Sequence, residues 1–271
     1  MFLRLSINQY ICPKIYPTEK FFGEAKSSGA EAVGLNSDVL KKYESKKLKS
    51  ILKNFELGVS SLNSVGYFFY NNSKSLNQLN KNLELIQYAS EIEAQTICII
   101  TGGIIDKKIS VEKARNEVTD HLSRLSEIAK KYGTNLGLEI IHPVELPFKG
   151  CINSIKSALD IISIIPNLNI IIDFFHSWWD PDLLEFIEKY THKISLIQFC
   201  NIIELQNNLK PSREIPLDGL IDTKMLLNKA KLSGYNNFFE FEIFYKDLRG
   251  RSVEKIIKKA SEQFFKIHKY E

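Results

Sequence analysis

Short apolar runs rich in Val, Ile and Phe recur along the chain, and longer amphipathic stretches separate them. The runs predict strands at about 2–8, 32–36, 57–63, 96–102, 136–141, 169–173, 194–200 and 238–244. Helical periodicity fills the stretches at 18–28, 38–54, 74–93, 110–132, 151–165, 181–191 and 222–233, and one more follows at 252–269. Strands that read as near-continuous apolar segments are buried on both faces, which is the habit of parallel sheets. Parallel neighbours need a crossover, and a helix stands where each is required. Gly133 and Gly234 each close a helical pattern just before a strand, where a left-handed residue ends the last turn without a Cβ penalty. Ser110 and Asp222 read as N-caps, and Asp180 followed by Pro181 reads as a cap with a first-turn proline.

Eight βα units over about 250 residues match the arithmetic of a (β/α)8 barrel. The expectation is a single α/β domain, a TIM barrel spanning 1–271. A doubly wound open sheet is the competitor. No GxGxxG follows the first strand, and Gly102-Gly103 is a pair rather than a phosphate-cradling loop.

Composition narrows the partners. The chain has 271 residues, 44% hydrophobic and 25% charged, as ordinary globular proteins do. Its formal charge of +4 is small and scattered, which argues against nucleic acid. No apolar run reaches the roughly 18 residues of a membrane span. The first residues lack a basic leader and a small-residue cleavage site, so no signal peptide is expected. Cys12, Cys98, Cys151 and Cys200 are far apart and sit in or near apolar segments. That spacing fits reduced thiols in a cytoplasmic protein better than a disulfide framework or a CxxC metal site.

In a barrel of this kind the active site lies at the C-terminal ends of the strands. Polar residues interrupt the apolar runs there. Strand five carries Glu139, strand six ends in Asp173, strand seven carries Gln198 and Asn201, and strand eight carries Glu240 and Glu242. A carboxylate inside so apolar a strand faces a large desolvation cost unless a cation or a solvated pocket meets it. Several such groups on neighbouring strands make the pattern of a divalent-metal site. Glu240 and Glu242 share parity and cannot both reach one ion at equal depth; Glu242, nearer the strand end, is the ligand candidate.

The ordered segments LGLEIIHP, CINSIKSALDII, IIIDFFHSWWDPDL, ISLIQFCN, SREIPLDGLID and GYNNFFEFEIF resemble the sugar phosphate isomerase/epimerase family of xylose-isomerase-like TIM barrels. The likeness is strong over about 130–245 and looser upstream, through residues 6–8, 59–68 and 99–104. It implies one divalent metal held at Glu139, Asp173, Gln198 and Glu242. Three positions match the family. At Gln198 the family has His, at Asn201 often Asp, and at Leu217 usually Gly. With Gln198 the ligand set becomes all oxygen, which favours Mn²⁺ or Mg²⁺, with Zn²⁺ and Co²⁺ as the other choices. The resemblance also implies substrate contacts from His176 and Arg213. His142, Trp178 and Trp179 are further candidates for the pocket, with at least one of the two tryptophans read as packing, and Glu145 could reach substrate.

The expected chemistry is proton transfer beside a carbonyl through an enediolate, with Glu139 and Glu242 as acid and base. The expected ligand is a small sugar or sugar derivative, and homodimers are common in the family. Three alternatives share parts of the pattern. One is a metal-dependent lyase or dehydratase on the same barrel, inosose-dehydratase-like or C-glycoside-cleaving. Another is a sugar-binding relative with a decayed site, which Gln198, Asn201 and Leu217 keep open. The third, a DNA-repair nuclease of the endonuclease IV type, needs extra His ligands, and the chain has five His in all.

Overall fold

The computed structural model describes residues 3–68, 72–104, 106, 108–204 and 211–267. Eight parallel strands close into a barrel. They are β1 (Arg4–Asn8), β2 (Ala32–Asn36), β3 (Gly58–Gly66), β4 (Thr96–Ile100), β5 (Leu136–Glu139), β6 (Asn169–Asp173), β7 (Ile194–Phe199) and β8 (Phe238–Phe241). Each neighbours the next, and β8 pairs with β1 to close the ring. The outer helices are α1 (Thr18–Ser27), α2 (Ser45–Asn54), α3 (Asn72–Glu91), α4 (Val111–Lys131), α5 (Ile155–Ile164), α6 (Leu183–Lys189), α7 (Thr223–Leu232) and α8 (Val253–Ile267). The TIM barrel expected from the sequence is the fold observed. No helix among the described residues is long and apolar enough to cross a membrane.

Two apolar clusters follow from strand parity. Alternate strand residues point outward and pack under the helices, where Ile7, Val33, Leu62, Ile97, Leu138, Ile172, Ile197 and Phe239 lie in the larger core. The other set points into the lumen. There Ala32, Ile171, Leu196 and Phe238 belong to a separate apolar cluster. Two residues further along three of these strands come Asp173, Gln198 and Glu240, so the lumen passes from apolar floor to polar mouth. Register joins them: Asp173 is opposite Gln198, Gln198 is opposite Glu240, and Glu240 is opposite Ser6.

The boundaries differ from the periodic reading where the chain turns into the mouth. β4, β5 and β8 stop at Ile100, Glu139 and Phe241, because the residues beyond leave the ladder to form the loops. β3 runs on to Gly66 past an irregularity between Asn63 and Val65. The stretch 38–54 divides at an extended Tyr43 into a short turn, Val39–Lys42, and α2. α5 begins at Ile155, not near 151, because Ser154 and Ser157 form a reciprocal capping box. Asp180 does not cap α6; it ties two segments, accepting from Ile155 N and Asp182 N. Ser110 and Asp222 cap α4 and α7 as expected. Gly133 (φ 66°) and Gly234 (φ 84°) take the left-handed conformation that ends a helix.

After β7 the chain makes an antiparallel ribbon of Asn201–Ile203 and Ser212–Glu214, which periodicity does not reveal. Glu214 anchors it, accepting from Arg251 at 2.8 and 3.0 Å and from Arg249.

Candidate functional site

The mouth of the barrel gathers four sequence-predicted ligands. Glu139, Asp173, Gln198 and Glu242 are all buried, at 4, 0, 0 and 3% exposure. Glu139 ends β5, Asp173 ends β6, Gln198 lies in β7, and Glu242 follows β8 by one residue. Strand parity turns each side chain inward. Gln198 Nε2 donates to Glu242 Oε1 at 3.2 Å and to Glu240 Oε1 at 3.1 Å. Cys98, from β4, donates its thiol to Glu139 Oε2 at 3.0 Å.

Arg213 joins two of the acids. It is 1% exposed, and its guanidinium meets Asp173 at 2.5 and 3.2 Å and Glu242 Oε2 at 3.0 Å. Such a two-pronged grip suits the planar fork of arginine. Phe175 and Phe244 lie against the guanidinium, at 4.3 and 5.1 Å from ring centre to Cζ. The ribbon held by Glu214 delivers Arg213 to this place.

His176 stands between Glu139 and Asp173. Its Nε2 is 3.6 Å from Glu139 Oε1 and 3.8 Å from Asp173 Oδ2. The backbone N–H of His142 lies 3.2 Å from Nδ1 and the Lys149 ammonium 3.1 Å from Nε2, so each ring nitrogen faces a donor. Burial, with help from the Lys149 and Arg213 charges, pushes the His176 pKa well below the ordinary histidine range, and the ring is neutral. Lys149 Nζ reaches the same centre, 3.1 Å from His176 Nε2 and 3.8 Å from Glu139 Oε1. Burial opposes the Lys149 charge, but Glu139 and Glu242 outweigh it and raise its pKa.

The buried acids outnumber the cations. Glu139, Asp173, Glu240 and Glu242 face Arg213 and Lys149, a surplus of two negative charges when every group is ionised. Burial raises the pKa of Glu139, Glu240 and Glu242. Two buried acceptors at this centre, Glu139 Oε1 and Gln198 Oε1, have no hydrogen-bond partner among the described residues. An orphaned buried acceptor costs about 1–3 kcal/mol, and native proteins keep few of them. A divalent cation would neutralise the surplus and give an orphaned acceptor a partner. The donor set, all oxygen from the four predicted positions, fits a hard ion. Among the His, Cys, Asp and Glu side chains of the described residues, the group with ligand atoms all within 4.8 Å of one another is Glu139, Asp173 and His176; it takes in His176 and leaves out Glu242.

A cavity of about 400 Å³ opens above this centre, lined in part by Glu145, Lys149, Phe175, His176, Arg213 and Phe244. Trp178 stays outside it, 43% exposed. Trp179 donates its indole N–H to His176 O at 2.9 Å and meets the His142 ring edge-on. His142 caps the turn Pro143–Glu145 through Nδ1, and its backbone N–H meets the His176 ring. Asn201 serves the loop rather than the centre: its amide bonds the backbone of Pro216, Ile221 and Ile202. Leu217 is 41% exposed, beyond the cavity wall. Sequence reading passed over Lys149 and Cys98. Lys149 lies in an aperiodic loop, and Cys98 looks like one more apolar strand residue.

A family model described as xylose isomerase-like TIM barrel matches residues 22–267. A curated inosose isomerase from Bacillus velezensis is 22% identical over 231 residues, covering 83% of this chain and 81% of the relative. Among solved structures, an IolI protein with a bound zinc atom superimposes with a TM-score of 0.83 at 18% identity, covering 98% of both chains. The apo form of the 3-keto-D-glucoside 4-epimerase YcjR from E. coli does so with a TM-score of 0.77 at 16% identity, covering 98% of this chain and 99% of the other.

Proposed function

This chain belongs to the xylose isomerase-like TIM barrel family, and from that premise we propose that it is a divalent-metal-dependent isomerase or epimerase of a keto sugar or related polyhydroxylated ketone. The observation that carries the reading is the pair of orphaned buried acceptors, Glu139 Oε1 and Gln198 Oε1, inside a cluster with surplus negative charge. The inosose isomerase relative and the keto-glucoside epimerase neighbour support the substrate class. The cavity has the size of a monosaccharide-scale site. The four unpaired thiols support a reducing compartment, and we place the protein in the cytoplasm.

Glu139, Asp173, Gln198 and Glu242 would hold the divalent cation, which would supply Lewis-acid polarisation of a carbonyl. Glu139 and Glu242 carry the protons. They rise from β5 and from the end of β8, on separate sectors of the mouth, so a carbon between them can lose a proton to one and regain it from the other. Return to the same carbon from the opposite face inverts it. Return to the neighbouring carbon isomerises the sugar. Arg213 and Lys149 set cationic N–H donors beside the cavity, where charge develops on a substrate oxygen. Neutral His176 lines the cavity within reach of a substrate hydroxyl.

Calorimetric titration of metal-stripped protein with Mn²⁺ tests the site. One ion per chain is expected, bound at least tenfold more weakly by Asp173→Asn. No saturable site, or equal affinity in the variant, would contradict the reading.

A further inference from the structure

We propose that Glu240 is a positioning residue that fixes the amide of Gln198, so that its carbonyl oxygen and not its NH₂ group faces the cation. The inference rests on the metal-site reading above and extends it to a residue outside the ligand set. Gln198 Nε2 has carboxylate oxygens on one side, Glu240 Oε1 at 3.1 Å and Glu242 Oε1 at 3.2 Å. Only an NH₂ group meets two acceptors favourably. A flipped amide would set its own oxygen against both. Gln198 Oε1 is thereby turned away and has no partner among the described residues. An amide presents ends of similar size and opposite polarity, and a ligand of this type needs its orientation fixed by the groups behind it.

Glu240 is itself held firmly and wholly buried. Its Oε2 accepts from Ser60 at 2.6 Å and Ser61 at 2.8 Å, and its Oε1 accepts from Asn8 at 2.7 Å. Those donors come from β1 and β3, so the carboxylate is tied across the lumen. Space for it is made at Gly34 in β2. A Cβ there would lie 2.4 Å from Glu240 Oε2, 2.6 Å from Glu240 Cδ and 2.8 Å from Ser61 Oγ. A glycine inside a strand weakens it, and here it marks a close approach. Glu240 spends its lone pairs on these donors. That leaves it suited to hold Gln198 and poorly suited to ligate the ion itself.

The test is Mn²⁺ titration calorimetry on the metal-stripped full chain. It compares wild type, Glu240→Met, Gly34→Ala, Gln198→Ala and Gln198→Ala combined with each of the first two. Thermal unfolding confirms that each variant folds. Glu240→Met removes the acceptor, and Gly34→Ala displaces it. Each should weaken Mn²⁺ binding by threefold or more, with about tenfold expected for an outer partner of a ligand. In the Gln198→Ala background each should change affinity by less than threefold, because the amide through which Glu240 acts is gone. A smaller loss in the single variants, or a loss of threefold or more in that background, overturns the positioning role and leaves the metal site standing. If Glu240→Met fails to fold, Gly34→Ala decides by the same criteria. If wild type binds no Mn²⁺, the metal reading itself fails and the positioning role falls with it.

Discussion

Arg213 holds Asp173 with both prongs of its guanidinium, Nη2 at 2.5 Å from Oδ2 and Nη1 at 3.2 Å from Oδ1, and neither side chain reaches solvent. The same Nη2 stands 3.0 Å from Glu242 Oε2. One buried cation therefore compensates two buried carboxylates. Removing one partner of such a pair costs about 3–5 kcal/mol, since the charges left behind stay desolvated. Arg213→Met should lower the thermal midpoint of the metal-free protein by about 10 °C. Mn²⁺ should restore part of the loss by supplying charge to Asp173 and Glu242. Scanning calorimetry with and without the ion checks this, and an unchanged midpoint would remove Arg213 from the electrostatic account.

Glu139→Gln and Glu242→Gln should each abolish turnover while the barrel remains folded. Acid–base catalysis of this type contributes about 10²–10⁴-fold. Loss of at least a hundredfold in proton exchange is expected, with far-ultraviolet circular dichroism unchanged. Wild-type rates in either variant would end its assignment as a proton carrier.

Lys149→Met should weaken substrate use without unfolding the chain. The ammonium borders the cavity beside His176 and Glu139, and 31% of its side chain is exposed. Hydrogen bonds to charged groups contribute about 1.5–3 kcal/mol, which corresponds to roughly ten- to a hundredfold in kcat/KM. Steady-state kinetics on inososes would show it. A kcat/KM equal to wild type would confine Lys149 to structure.

Stability should fall as pH rises above about 9, for a reason remote from the site. Burial pushes the Cys12 thiol up from 9.0 to about 12 and also raises Cys151. The folded chain keeps these protons where the unfolded chain releases them. Their contribution is complete below the unfolded pKa and is lost as pH climbs towards the folded values, by at most about 1.4 kcal/mol per pH unit for each thiol. Denaturant midpoints at pH 8, 9 and 10 should decline, and Cys12→Ser should flatten the decline. A slope identical in that variant would exclude Cys12 as a source.

The barrel was legible because a parallel strand must be apolar on both faces, and the runs around Ile97, Ile171 and Ile197 announce that directly. Glu139 and Asp173 were legible for the opposite reason, as acids inside such runs. The pairing of Arg213 with Asp173 was not, because it depends on a ribbon whose short strands carry no period. Glu240 was visible as an inward acid, but its cradle was not. Asn8 and Ser60 lie 232 and 180 residues away along the chain, and only closure of the barrel brings them together. Lys149 escaped because a charged residue in an irregular loop looks like any solvated lysine.

Proton exchange with solvent addresses the chemistry most directly. Mn²⁺-loaded protein in D₂O, given a panel of inososes and 3-keto-glucosides, should place deuterium on a carbon next to the carbonyl of at least one of them. Chelation should stop the exchange and Mn²⁺ should restore it. Exchange that persists unchanged after complete metal removal, or none with any compound at full metal occupancy, would contradict metal-dependent proton transfer beside a carbonyl.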